Sequence, residues 1–360
     1  VLESYEISVS SSYQRGRREL TMVAMGILLS DVPASVSPAQ QFRDVVRITH
    51  AAQESGFTYI VIGQHFLYGD LRWLQPVPLL ARLAAEVNHD VKLATQIMIA
   101  PLYHPVMLAE ELATLDVVTE GRLIAGLGLG YRAEEFDYLG VPFKQRAGRM
   151  DEILEIIQML WTQDEVTYHG KYFTLDNVRP HLKPVQDPLP IWIGAHSIPG
   201  AVRAGKFGDG YACPPETPVD EVRERYRVVA EGFAARGKAF TPQPLRRNIL
   251  VADTKDEALL EFARVAQGRY LTYLEKGLDV MSNADLKNEF AKAVEDHAVV
   301  GTPDEVTEKL VRLVTELPVD PLLIRPQWPT MDADETIKAI KRIGREVLPT
   351  IVAIPPSTTL

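Results

Sequence analysis

Short apolar, β-branched runs recur along the chain, each followed by a stretch with helical spacing, the pattern of successive parallel βα units. Eight such runs are predicted as strands: Met22–Leu29, Thr58–Ile62, Val91–Ile99, Arg122–Gly128, Leu189–Gly194, Asp209–Cys213, Arg246–Ala252 and Asp320–Arg325. Each run is nearly continuous in hydrophobicity, as strands covered on both faces require. A doubly wound sheet alternates in the same way, but eight consecutive units favour closure. The expected fold class is therefore α/β, a (β/α)8 TIM barrel with insertion segments at its C-terminal rim.

The intervening helices carry their own signals. Pro105 stands at a helix start, with Glu110 and Glu111 in the early turns and Gly121 beyond the end. Met150, Ile153, Leu154, Ile157 and Trp161 fall on one helical face and read as packing against the barrel. Thr302 ahead of Pro303 is placed to cap a further helix. Two stretches exceed a plain repeat: residues 163–188, where Thr167–Thr174 reads as a hairpin, and residues 253–300, which hold more helix than one unit needs. Both are expected as lids over the rim. The chain divides into a polar N-terminal extension (1–21), one barrel (22–350) and a C-terminal tail (351–360).

Composition narrows the function. Hydrophobic residues at 46% and charged ones at 24% describe an ordinary globular core. A formal net charge of −10 disfavours nucleic acid and anionic membrane surfaces as partners. No apolar run reaches the roughly 18 residues of a membrane span, and the Ser- and Arg-rich first 21 residues lack a signal-peptide core. The single cysteine, Cys213, permits no internal disulfide; it fits a cytoplasmic protein and reads as a small core residue on its strand.

Three segments can carry chemistry. Ile191–Gly200 takes a strand through small residues into a helix near Pro199, so its free amides and the Ser197 hydroxyl can cradle a phosphate. An ordinary βα turn with Ser197 as N-cap explains the same residues. Gly126-Leu127-Gly128-Leu129-Gly130-Tyr131 leaves the fourth strand with G-x-G-x-G spacing, which is not a dinucleotide fingerprint but lets a flat ring approach the backbone. His65, in Gly63-Gln64-His65-Phe66 after the second strand, can exchange a proton near neutral pH or serve a structural role. There is no H-E-x-x-H, no paired cysteine ligands and no G-x-S-x-G, so a bound cofactor is expected to supply the reactive group, with no metal.

Taken in order, Pro101–Val106, Ala109–Asp116, Thr119–Arg122, Gly126–Gly130, Arg146–Glu152, Ile191–Ser197, Gly208-Asp209-Gly210 and Val300–Pro303 resemble the luciferase-like family of flavin-dependent oxidoreductases. The resemblance runs from Met22 to Pro349. It implies a barrel, usually a homodimer, that uses reduced FMN or the deazaflavin coenzyme F-420. It implies that Gly194, Ala195, His196 and Ser197 hold the phosphate and that Gly128, Gly130 and Tyr131 line the cofactor. Gln96 falls where the family often has a non-proline cis peptide, here placed at Gln96–Ile97. His65 matches a rim histidine of deazaflavin members, within an Asp-His-Phe motif whose aspartate is Gln64 in this chain, and is the expected catalytic residue. Leu129 stands where luciferase has a phosphate-binding arginine, which argues against light emission. Arg122, Arg146, Arg149 and Glu152 belong to the family pattern and read as salt-bridged helix surface or dimer contacts. The Arg325-Pro326-Gln327-Trp328 segment after the last strand could reach the pocket from the rim.

The first expectation is an FMN-dependent monooxygenase that takes reduced FMN from a separate flavin reductase, adds O₂ and oxidises a small organic substrate. The alternatives are a deazaflavin-dependent dehydrogenase or reductase, a non-catalytic flavin-binding protein, and a phosphate-binding isomerase or aldolase barrel.

Overall fold

The computed structural model describes residues 22–29, 31–275 and 298–360, with only the helical backbone described for 272–275. The polar extension at 1–21 and much of the second insertion lie outside the described residues.

All eight predicted runs form strands: β1 (Met25–Leu29), β2 (Tyr59–Ile62), β3 (Lys92–Thr95), β4 (Leu123–Gly128), β5 (Ile191–Gly194), β6 (Gly210–Ala212), β7 (Gln243–Val251) and β8 (Val319–Arg325). They lie parallel in the order β6-β5-β4-β3-β2-β1-β8-β7, and Val299–Gly301 adds to β7. Consecutive strands at the two ends, β6 and β7, meet through a side chain: the Tyr211 N–H donates to Gln243 Oε1 at 2.8 Å.

The boundaries shift for identifiable reasons. β1 starts after Met22 because Val23 N–H donates to the Ile354 carbonyl and Ala24 N–H to Asp320 Oδ1, not to a neighbouring strand. The run expected as one strand over Val91–Ile99 is split by a cis peptide between Gln96 and Ile97, after which Met98–Ile99 pairs with β4. That is where the cis bond was expected.

Strand residues divide between two faces. One residue from each of six strands (Leu28, Val61, Ala94, Ile124, Trp192 and Leu323) packs into an interior cluster. Alternate positions such as Ile27, Ile60, Leu93, Ala125, Ile193 and Ile324 join the larger core shared with the helices. This is what parallel strands covered on both faces predict. Helix Arg146–Thr162 buries the whole Met150–Trp161 stripe, and Trp161 Nε1 donates to the Ala109 carbonyl of helix Pro105–Val118. Thr302 caps helix Pro303–Glu316 in a reciprocal box with Glu305.

The insertions behave differently from each other. The hairpin of Val166–His169 and Thr174–Val178 forms, but none of residues 163–188 lines the cavity described below. It is tied to helix Arg146–Thr162 instead, because the turn of the hairpin donates three amides (Lys171, Tyr172, Phe173) to the Glu152 carboxylate. The lid expectation is corrected for this segment. Helix Lys255–Glu275, in contrast, delivers Arg269 to the cavity wall. Among the described residues no helix is long and apolar enough to cross a membrane.

Candidate functional site

A cavity of about 570 Å³ opens where the C-terminal ends of the strands converge, with wall residues from or just beyond all eight. In parallel α/β sheets this end is where loops converge on a ligand. Of the residues singled out from sequence, His65, Gln96, Gly130, Tyr131, Gly194, Ala195, His196 and Ser197 all line it. Gly128 does not. It lies beside Ile97, whose Cδ1 an added Cβ would meet at 2.8 Å, so its missing side chain lets Ile97 pack.

The floor is built around Ile97. Its side chain sits over Gly128 and Gly194, and the preceding Gln96 exposes a buried Oε1 that has no hydrogen-bond partner. An orphaned acceptor of this kind is rare unless a ligand donor completes it. Gly126 is required one turn back, since a Cβ there would stand 1.8 Å from the Thr95 carbonyl oxygen. Thr95 Oγ1 in turn accepts from Gly126 N–H and donates to its carbonyl.

On one side, Gly194–Ser197 leads into helix Ile198–Phe207. Ser197 takes the N-cap position with extended backbone, yet its hydroxyl makes no capping bond. The capping explanation of this serine is therefore not realised, although it stands at a helix N-terminus. Gly200 makes the tight turn possible, because a Cβ would lie 2.1 Å from that of Ala195. His196 is exposed at the cavity, yet the protein around it desolvates the ring, which, with the Arg246 and Arg225 charges, lowers its pKa from the ordinary 6.5 against the pull of Glu216.

Opposite stands His65. Its Nδ1 is 3.0 Å from Glu135 Oε1, and its ring is walled by Tyr68, Trp73 and Tyr131 with centroids at 4.7, 4.8 and 5.5 Å. Gln64, where the family motif has aspartate, is buried; its amide donates to Tyr103 and Gln75 and its Oε1 accepts from Ile99 N–H. The substitution thus keeps a polar clamp on the backbone just after the cis peptide.

Sequence reasoning missed much of the wall. Arg246 pairs in register with Leu323, an interior residue, and so projects from β7 into the cavity. Its Nε is buried without a partner among the described residues. Arg269 and Arg325 also line the cavity but share the buried Asp31 carboxylate. Arg146, expected on an outer surface, lines the cavity over the Phe143 ring, and desolvation lowers its pKa. Arg122, Arg149 and Glu152 are structural, although through backbone groups and not salt bridges: Arg122 donates to three carbonyls and Arg149 to that of Pro101. Cys213 is buried, its thiol pushed up by burial, as a core residue should be. Only the alternation of strand faces could have singled out Arg246, and it depends on register.

The family model described as luciferase-like monooxygenase matches residues 23–320. The F420-dependent glucose-6-phosphate dehydrogenase of Amycolatopsis mediterranei (strain U-32) is 29% identical over 323 residues, covering 84% of this chain and 86% of its own. Among solved structures, the monooxygenase RslO1 from Streptomyces bottropensis superposes with a TM-score of 0.79 at 24% identity, over 91% of this chain and 99% of that one. The coenzyme F420-dependent tetrahydromethanopterin reductase of Methanopyrus kandleri gives 0.68 at 21% identity, over 92% and 99%. At these identities the structures speak for the fold.

Proposed function

The chain belongs to the luciferase-like monooxygenase family, and on that premise we propose that it is a deazaflavin (coenzyme F-420)-dependent dehydrogenase or reductase. The observation that carries this reading is the similarity to an F420-dependent dehydrogenase across most of both chains. The FMN-dependent monooxygenase expected first becomes the second reading, favoured by the family's description.

The cavity suits either coenzyme in outline: an orphaned acceptor on Gln96, a Ser197 hydroxyl that makes no capping bond at a helix N-terminus, and the unsatisfied Nε of Arg246 among the described residues. Ser197 and its turn would hold the phosphate, with Arg246 supplying the cation that Leu129 does not. Gln96 Oε1 would accept a hydrogen bond from the ring system. When bound, the deazaflavin supplies a carbon that takes up or returns a hydride. The chain's own part is to hold the substrate carbon against it, exclude water and move a proton. In the oxidation of an alcohol, the hydride leaves from carbon while the hydroxyl proton passes to His65 Nε2. We read the parallel sheet as a closed barrel and the protein as a homodimer, which sedimentation of the purified chain would test.

Parallel titrations with FMN, reduced FMN and the deazaflavin coenzyme test the assignment. Tight binding of the deazaflavin and O₂-independent turnover of alcohols or sugar phosphates are expected. Tight binding of reduced FMN with substrate-dependent O₂ uptake would establish the monooxygenase reading in its place, together with its need for a flavin reductase.

A further inference from the structure

We propose that Glu135 is the positioning residue for His65, fixing its Nδ1–H tautomer and aiming the Nε2 lone pair into the cavity. Glu135 sits in the first turn of helix Ala133–Tyr138 and is fully buried. Its Oε1 lies 3.0 Å from His65 Nδ1 and accepts from the Phe66 backbone N–H at 2.7 Å. The carboxylate is thereby bound to the same short segment that carries the imidazole, and it cannot swing away without releasing both.

Arg132, which pairs with Glu134 at 2.5 Å, also stands beside Glu135, whose Oε2 is buried with no hydrogen-bond partner among the described residues. Arg132 Nη1 lies 3.7 Å from Glu135 Oε1 and also donates to the Phe66 carbonyl at 3.1 Å. The same guanidinium lies over the Tyr68 ring at 4.2 Å, so the group beside the carboxylate also braces an aromatic wall of His65. An ionised carboxylate only accepts, so a neutral His65 must carry its proton on Nδ1. Nε2 then has its lone pair free, and no described residue engages it on the cavity side. The arrangement has the logic of other buried acid–imidazole pairs, in which the acid sets tautomer and orientation and stabilises the imidazolium without taking the proton.

The catalytic consequence rests on the dehydrogenase reading above; the tautomer does not. With a coenzyme bound to take up the hydride of an alcohol, His65 Nε2 would accept the O–H proton and the resulting imidazolium would be held against Glu135. Reduction runs through the same groups in reverse.

Nitrogen-15 spectra of histidine-labelled, coenzyme-free protein give the first test. Neutral His65 is expected as the Nδ1–H tautomer in the wild type, with Nε2–H appearing in Glu135→Leu. Should the wild type show Nε2–H, or Glu135→Leu leave the tautomer unchanged, the proposal is overturned. Glu135→Gln preserves volume and an acceptor for Phe66, so it covers the case in which the leucine variant does not fold. It is expected to lower kcat about ten- to a hundredfold with KM and coenzyme affinity within twofold, and Glu135→Asp to recover part of the loss. An unchanged kcat in Glu135→Gln would remove the catalytic consequence. If no coenzyme supports turnover, the dehydrogenase reading fails by itself and the spectra still decide the tautomer.

Discussion

The Cγ2 methyl of Ile97 occupies the space beside Gly194 so closely that a Cβ on residue 194 would come within 2.4 Å of it. One missing methyl group therefore joins the segment after the cis peptide to the turn that leads into the helix N-terminus. Gly194→Ala should cost about 1–3 kcal/mol, as overpacking of a filled site does. Ile97→Ala in the same chain should recover part of the loss. Thermal unfolding of the two single variants and the double variant measures the coupling; strictly additive midpoints would mean that the two residues do not press on each other.

Ser197 separates stability from binding. Its hydroxyl makes no capping bond, so Ser197→Ala should leave the melting temperature nearly unchanged. If the hydroxyl holds the coenzyme phosphate, affinity should drop roughly tenfold, the value of one hydrogen bond to a charged group. Calorimetric titration beside a melting curve reads both, and unchanged affinity would take Ser197 out of the phosphate site.

Arg246 gives the opposite pattern to most buried arginines. Removing one partner of a buried ion pair is ordinarily destabilising, yet the buried Nε of Arg246 is unsatisfied among the described residues. Arg246→Met should keep or raise the melting temperature of the coenzyme-free protein. The same variant should weaken binding of an anionic coenzyme several-fold and flatten its dependence on salt. A variant that melts well below the wild type would show that Arg246 holds the fold.

A pH effect follows from His196. Desolvation lowers its folded-state pKa from the ordinary 6.5, so the unfolded chain binds more protons in the window below that value. The stability associated with the neutral ring is complete above about pH 6.5 and is lost as pH falls through the depressed folded value. Melting curves from pH 7.5 to 5.5 should therefore fall less steeply for His196→Gln than for the wild type. Parallel curves would exclude the contribution.

Strand positions were legible because hydrophobic runs bounded by Gly and Pro are local signals, and all eight runs are strands. The Gly194–Ser197 turn was legible for the same reason, since small residues between a strand and Pro199 leave few conformations. Gly128 shows where such reading stops. A glycine spacing says that something approaches closely, not whether it is a ligand or, as here, the side chain of Ile97. The hairpin at Val166–Val178 was likewise found, but its place was not, because Glu152 lies on a separate helix and captures it away from the cavity.

By itself, then, the chain's pattern determined the repeating βα architecture, the order of its parts and eight of the positions on the cavity wall. Periodicity and turn chemistry are properties of neighbours in sequence, which is why they could be read. Only the tertiary structure decided what faces what. Residues 65 and 135 come within hydrogen-bonding distance because strands β2 and β4 end side by side around β3. Arg246 enters the cavity because the register of β7 on β8 puts it on the interior face. Such contacts arise from register and sheet order, which join residues far apart in the chain.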